Sequence, residues 1–487
     1  MNVLSPCSTP TRFFGLLLFH AALLAGCGGG GGGASAAEAS PVPVTSSPVV
    51  GSITTAITAA TATTAITATS ASTLRLTLPR QGLTAAEMGV IVAEGDALSE
   101  AIGAYYQAAR GIPAANIIRV KLATGADALS ATEFTKLKAE IDAKLPAGVQ
   151  ANLLTWTAPS RVAGACSMSI TSALALGYDS KYCGGGCAVT AASPFYDSES
   201  SQPWTDHQIR PAMMLGARSL EAARALIDRG VSADATYPVG DGYLMRTSDG
   251  ARSVRHPDQA ALPARWAGTL QLNYSDNSAG ADVDSLTAKR DVMFYFTGLS
   301  RVPHIAGNSF RPGAVADHLT SYGGLLPGAN GQMPITDWLD GGATASYGAV
   351  EEPCNYAQKF SRASVLIDQY WRGGTLIEAY WKSVQWPGQG LFIGEPLAQP
   401  FRDTPGFSIE AGQYLINTRA LRPAARYSLE YRTPASSAWT TLASFSGSHA
   451  QAQSLRAPLP PAEATALRWV GPCRADAGRQ CTLASSF

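Results

Sequence analysis

The feature that most constrains this chain is a repeating order of short apolar runs and amphipathic segments. Val90-Ile91-Val92-Ala93 reads as a buried strand. Glu94-Gly95-Asp96 turns the chain, and Ser99 with Glu100 opens a helix to Arg110. Ile102, Tyr105, Tyr106 and Ala109 recur along it at helical spacing, and Gly111 and Pro113 end it. A second strand follows over 117–122. Strand, helix and strand in that order favour a parallel pair with a right-handed crossover. The order repeats, with helices over 132–145, 219–229, 363–372 and 375–384, Gly230 stopping the second of these. Strands are expected over 152–157, 212–215, 242–247, 270–274, 291–297 and 391–393. The run DVMFYFT (291–297) is the most apolar and is expected at the centre of the sheet. The expected fold is α/β, a mostly parallel sheet with flanking helices over 74–402. From about Asp403 the texture changes to short alternating runs such as YSLEYRT and WTTLASF, which predicts a small β-sandwich over 403–487.

The first 73 residues do not belong to that fold. Arg12 followed by the short apolar run 13–24 reads as a signal peptide over 1–26. Leu24-Ala25-Gly26-Cys27 directly after it resembles a bacterial lipobox, which implies cleavage before Cys27 and a diacylglyceryl group on its thiol. Such an anchor makes the membrane a partner through the lipid at Cys27, and Gly28 after it favours the outer membrane. The glycine run and the Ala/Thr/Ser repeats up to residue 73 lack aromatic residues and read as a tether.

Composition narrows the function. Charged residues make up 15% of the chain and the formal net charge is zero, so no basic surplus exists to hold nucleic acid. The histidines at 20, 207, 256, 304, 318 and 449 form no HxH or HxxxH pair, so no metal site and no cofactor is expected. Besides Cys7 and Cys27 there are six cysteines, and export makes pairing the expectation. Cys473 and Cys481 flank a short polar loop and are expected to bridge. Cys183 and Cys187, separated by three glycines, can close on each other, or either can reach Cys166. A loop-rich insertion is expected over 166–206. Within it, Asp197, Glu199 and Asp206 offer oxygen ligands for calcium, although a solvated loop explains them as well.

The densest run of reactive residues is 311–354. His318 and Ser321 are three apart and would share one face of a helix, but a polar helix rim leading into the Gly323-Gly324 turn explains that spacing without catalysis. Cys354 follows Glu351-Glu352-Pro353, and with His318 or His304 it could form a cysteine–histidine pair. In an exported chain a disulfide is the competing reading for that thiol. Glu352 or Glu351 could act as a base at a strand end. Trp371, Trp381 and Trp386 read as packing residues.

The segments YYQAARGIPAANI, RPGAVADHLTSYGG, GATASYGAVEEPC and GGTLIEAYWKSVQWPGQGLFIGEPLAQPF resemble an uncharacterised bacterial family found in genomes with exosortase and PEP-CTERM protein sorting. The resemblance covers about 80–402. A weaker one is to gingipain-type cysteine peptidases, which have a caspase-like α/β fold. Those enzymes carry a Gly-His-Gly motif after an apolar strand, but here Leu299 follows Gly298. Ser321 stands in the segment where their cysteine would fall, and Gly394-Glu395-Pro396 resembles their Gly-Asp-Pro turn. The resemblances imply a surface-anchored lipoprotein with a non-catalytic caspase-like domain, acting on an envelope protein as a binding or assembly factor. The alternative is a cysteine peptidase-like hydrolase. A structural envelope protein held by its sandwich is a third reading.

Overall fold

The computed structural model describes residues 82–184, 187–448 and 453–473. The chain divides into Met1–Thr69 and Ser70–Phe487, and everything described belongs to the second unit. The signal segment, Cys27, the linker and Cys481 lie outside the described residues.

Ten strands form one sheet: β1 (Met88–Ala93), β2 (Ile117–Val120), β3 (Ala151–Leu154), β4 (Ala212–Met214), β5 (Asp241–Arg246), β6 (Gln271–Asp276), β7 (Val292–Thr297), β8 (Phe310–His318), β9 (Ala345–Ala349) and β10 (Gly390–Gly394). Their spatial order is β2-β1-β3-β4-β10-β9-β8-β7-β5-β6. Every neighbouring pair is parallel except β9 and β10, which run antiparallel with Tyr347 opposite Phe392. The sheet is therefore two five-stranded parallel blocks of opposite direction, joined at β9/β10. The DVMFYFT strand, β7, is buried at all six positions but sits third from one edge, so its expected central place belongs to β9 and β10.

Local sequence explains the elements. Helix α1 (Ala97–Arg110) starts at Asp96, whose carboxylate accepts from Ser99 N at 2.8 Å, and ends at Gly111 with φ +65°. Helix α2 (Ala131–Lys144) opens on a capping box of Ser130 and Glu133. The insertion is less irregular than expected, since it contains α3 (Ile170–Leu176) with six buried residues. Helix α4 (Leu220–Ala233) continues past Gly230. That glycine does not stop the helix. It clears space for Glu395, because a Cβ at 230 would lie 2.5 Å from a Glu395 carboxylate oxygen. Buried Glu395 accepts from Tyr106 Oη at 2.8 Å and Arg110 Nε at 3.0 Å, which ties the Gly394-Glu395-Pro396 turn to α1.

Helices α5 (Ala363–Trp371) and α6 (Leu376–Ser383) are buried throughout and lie between β9 and β10 in the chain. Two helices instead of one return the chain from the opposite side, which is why β10 enters antiparallel to β9. The tryptophans here pack: Trp381 stacks on Phe392 with centroids 4.5 Å apart, and Trp371 meets Trp266 edge-on.

Beyond residue 403, β11 (Gly406–Glu410), β12 (Gln413–Thr418), β13 (Arg426–Arg432), β14 (Thr440–Ser446), β15 (Gln453–Pro458) and β16 (Ala466–Cys473) form two antiparallel sheets, β11-β12-β15 and β14-β13-β16. They share a core of Tyr414, Ile416, Leu429, Leu467 and Trp469, among others. The acidic run of the insertion meets them. Glu199 takes Arg372 Nη1 at 2.9 Å and Arg422 Nε at 2.6 Å, and Asp197 pairs with Arg422. Burial alone would raise the Glu199 carboxyl, but the two guanidinium groups outweigh it and hold it below its ordinary value. Asp206 accepts from Ser200 Oγ at 2.5 Å. The calcium reading and the solvated-loop reading of this run both give way to a docking contact, since arginines occupy the Asp197 and Glu199 oxygens.

Candidate functional site

In open α/β sheets ligands gather at the carboxyl ends of parallel strands. In the second block these ends are His318 on β8, Ala349 on β9, Thr297 on β7 and Arg246 on β5. The loops leaving them enclose a cleft of about 310 Å³ walled by Arg252, Thr320, Ser321, Glu352, Cys354 and Asn355. A second cleft of about 390 Å³ has Tyr196, Arg255, Asp258, Gln358, Arg362 and Gln385 in its walls, and Phe360 lines both. Three residues singled out in the sequence, Ser321, Glu352 and Cys354, thus come together.

Their chemistry differs from the expected one. Cys354 is bridged to Cys187, with Cα atoms 5.2 Å apart, and Cys166 is bridged to Cys183 at 5.8 Å. Cys183 and Cys187 therefore do not close on each other. A bridged sulfur offers no thiolate, so the structure places Cys354 as a tether and not as a nucleophile. Glu352 Oε1 accepts from Cys354 N at 2.8 Å, and Glu351 turns to Arg161 at 3.6 Å. Ser321 lies beyond the end of β8, so the helix shared with His318 does not form. His304 is exposed at a turn with φ +62° and lines neither cleft. Cys473 ends β16, and its expected partner Cys481 is outside the described residues.

His318 sits below the cleft, 1% exposed. Its Nδ1 accepts from Trp338 Nε1 at 2.9 Å. Burial, reinforced by Arg255, pushes its pKa down to about 3, so it is neutral at physiological pH. Folding then leaves this imidazole less able to take a proton than the unfolded chain, whose histidine titrates near 6.5. The stability it contributes is complete above about pH 6.5 and is lost as the pH falls towards 3. A His318→Asn variant keeps an acceptor for Trp338 and should flatten this dependence. The wild-type minus variant stability difference should shift by about 3 kcal/mol between pH 7 and pH 4 in chemical denaturation. Parallel pH profiles would show that the ring is not held neutral. Neighbouring Asp317 has the opposite sign, because burial raises its carboxyl above the effect of Arg255, so it cannot supply the same slope.

The floor of the site was invisible in the sequence. Asp317 Oδ1 takes Arg255 Nη1 at 2.7 Å, Ser361 Oγ donates to Asp317 Oδ2, and Arg255 Nη2 donates to Thr297 O at 2.7 Å. Arg252 Nε donates to Thr320 Oγ1 at 3.1 Å, and Thr320 in turn donates to Gln332 at 2.6 Å. Among the described residues, buried Lys359 has no hydrogen-bond partner for Nζ, and burial lowers its pKa to about 8 against the pull of Glu352. Only the polar end of β8 in an otherwise apolar run could have signalled Asp317. Among the described residues no group of acidic, histidine or cysteine side chains could hold a metal ion.

No family model and no curated protein matches the chain. A solved structure titled "Structure of Protease" is similar to it at a TM-score of 0.35 and 10% identity, over 79% of this chain and 92% of that chain. A likeness of that strength carries no argument about activity.

Proposed function

We propose that this chain is a non-hydrolytic binding protein of the bacterial envelope, a caspase-like domain anchored in the outer membrane through a lipid at Cys27. It holds an extended segment of an exported protein during sorting. The observation that carries the reading is the cleft at the carboxyl edge of β8 and β9. It gathers Ser321, Glu352 and Cys354 with Arg252, while the cysteine is bridged and the histidine is buried beneath. A nucleophile needs a base within hydrogen-bond reach, and neither cysteine nor histidine here can serve the other. Two neighbouring clefts offer donors and acceptors of both signs, namely Arg252, Glu352, Asn355, Gln358 and Arg362, with aromatic Phe360 between them. That pattern suits a polar extended chain better than a compact apolar ligand. The sorting role rests on the resemblance to the exosortase-associated family, and the anchor rests on the Leu24–Cys27 motif.

A photo-reactive residue at Ser321, introduced in intact cells, tests this. It should capture a discrete exported protein, and Arg252→Glu should abolish the adduct. In a Cys27→Ser background the protein should leave the membrane fraction. Cleavage of peptides by the purified chain, or an adduct untouched by Arg252→Glu, would overturn the reading.

A further inference from the structure

Arg210 is a buried cation without a counter-ion. It stands two residues before β4, is 7% exposed, and has no carboxylate within ion-pair reach among the described residues. Its Nε donates to Val149 O at 3.0 Å, and its guanidinium lies 3.5 Å from the centre of the Trp204 ring. Nothing among the described residues accepts from Nη1 or Nη2. Arg255 and Arg372 are as deeply buried, and each holds a carboxylate, Asp317 at 2.7 Å and Glu199 at 2.9 Å. A guanidinium taken out of water without such a partner is costly. Burial accordingly pulls Arg210 below its ordinary pKa, against the pull of Asp142.

Arg210 lines a cleft of about 150 Å³. Leu174, Leu176 and Trp204 give the cleft apolar surface, and Lys138 and Asp142 complete its charged lining. Those two lie one turn apart on α2 and pair at 2.8 Å, so the uncompensated charge in the cleft is that of Arg210. Stacking on Trp204 leaves the in-plane donors of the guanidinium free. With Nε engaged, the open edge is the Nη1–Nη2 pair. Parallel donors in one plane match the two oxygens of a carboxylate. The small volume, the single positive charge and Asp142 all disfavour a phosphate dianion. The position matters as well. Strand β4 runs parallel to β10, and Gly390 at the start of β10 lies opposite Ala349 at the end of β9. Arg210 therefore stands on the same edge of the sheet as the two clefts described above.

We propose that this cleft is a carboxylate-binding site. Arg210 grips the ligand end-on through Nη1 and Nη2, and Leu174, Leu176 and Trp204 cover its aliphatic carbons. The inference does not depend on the function proposed above. The ligand is a propionate-sized group, carried by a free short-chain acid or by a glutamate side chain of a polypeptide.

The test is calorimetric titration of the full chain with propionate, propionamide and inorganic phosphate at equal ionic strength. Propionate should bind at one site, phosphate more weakly, and neutral propionamide not at all. Arg210→Gln should weaken propionate roughly thirty-fold or more. Asp142→Asn should strengthen it about two- to five-fold. The Asp142 side chain is 44% exposed, so this variant keeps the test decisive if Arg210→Gln does not fold. A blocked tripeptide with a central glutamate separates the two sources. Tripeptide binding alone, or tighter than propionate, assigns the site to a polypeptide, and propionate binding as well or better assigns it to a free acid. The proposal is overturned if neither ligand binds, if phosphate or propionamide matches propionate, or if neither substitution alters binding.

Discussion

Replacing Arg255 with methionine should cost about 3 to 5 kcal/mol of stability, because it strands a buried carboxylate. Arg255 and Asp317 are each under 10% exposed, and the guanidinium alone ties together Asp317 on β8, the Thr297 carbonyl on β7 and the Ser361 carbonyl. The measurement is denaturant unfolding of Arg255→Met beside the double variant Arg255→Met with Asp317→Leu. Removing both charges leaves no unpaired ion, so the double variant should recover a large part of the loss. If the double variant is no more stable than Arg255→Met, the pair is not what the arginine contributes, and packing of its stem explains the cost. The same residue borders the second cleft. A loss of partner capture in the double variant, at restored stability, would therefore separate a binding role from a structural one.

Several elements were legible because their signals are local. The β1-α1-β2 unit follows from an apolar run, a turn at Glu94-Gly95-Asp96 and a glycine stop, all within about thirty residues. Strand β8 was not legible. Its sequence, FRPGAVADH, carries a proline and three charged or titratable residues and shows no alternation, since its last six residues are buried on both faces. Gly313 sits there because its backbone is left-handed, with φ +84°, and a Cβ would lie 3.0 Å from Pro400 Cγ and 3.1 Å from Ala233 Cβ. Asp317 and His318 look solvent-facing in sequence, but their partners Arg255 and Trp338 arrive from 62 and 20 residues away. The site shows the same division. Ser321, Glu352 and Cys354 could be picked out as reactive residue types in one stretch, and they do share a cleft. That His318 lies under it depends on β8 being a strand, a tertiary fact with no local trace. Gly230 marks the limit from the other side, because a helix-stop residue served instead to admit a carboxylate from residue 395.

Without reductant, Cys354 should resist alkylation, and under native reducing conditions Cys187 and Cys354 should become reactive together. Three glycines separate Cys183 from Cys187 in the sequence, and the two cysteines take different partners. The first bridge closes within the insertion, to Cys166. The second crosses 167 residues of chain to the loop after β9. A crossing of that length restricts the unfolded chain strongly, so Cys354→Ser should lose about 2 to 5 kcal/mol in chemical denaturation. Cys187→Ser should lose a similar amount, and the double variant should be no worse than either, because one bond is removed in all three. The bridge also holds the insertion against the cleft wall that carries Glu352, while Asp197 and Glu199 pin the same insertion to Arg422. Loss of the bridge should therefore weaken partner capture at Ser321 even at temperatures where the chain stays folded. The opposite pattern, a Cys354 thiol that alkylates alone at neutral pH while Cys187 does not, would break the pairing. It would return the cleft to cysteine chemistry, and the binding reading would fall with the bridge.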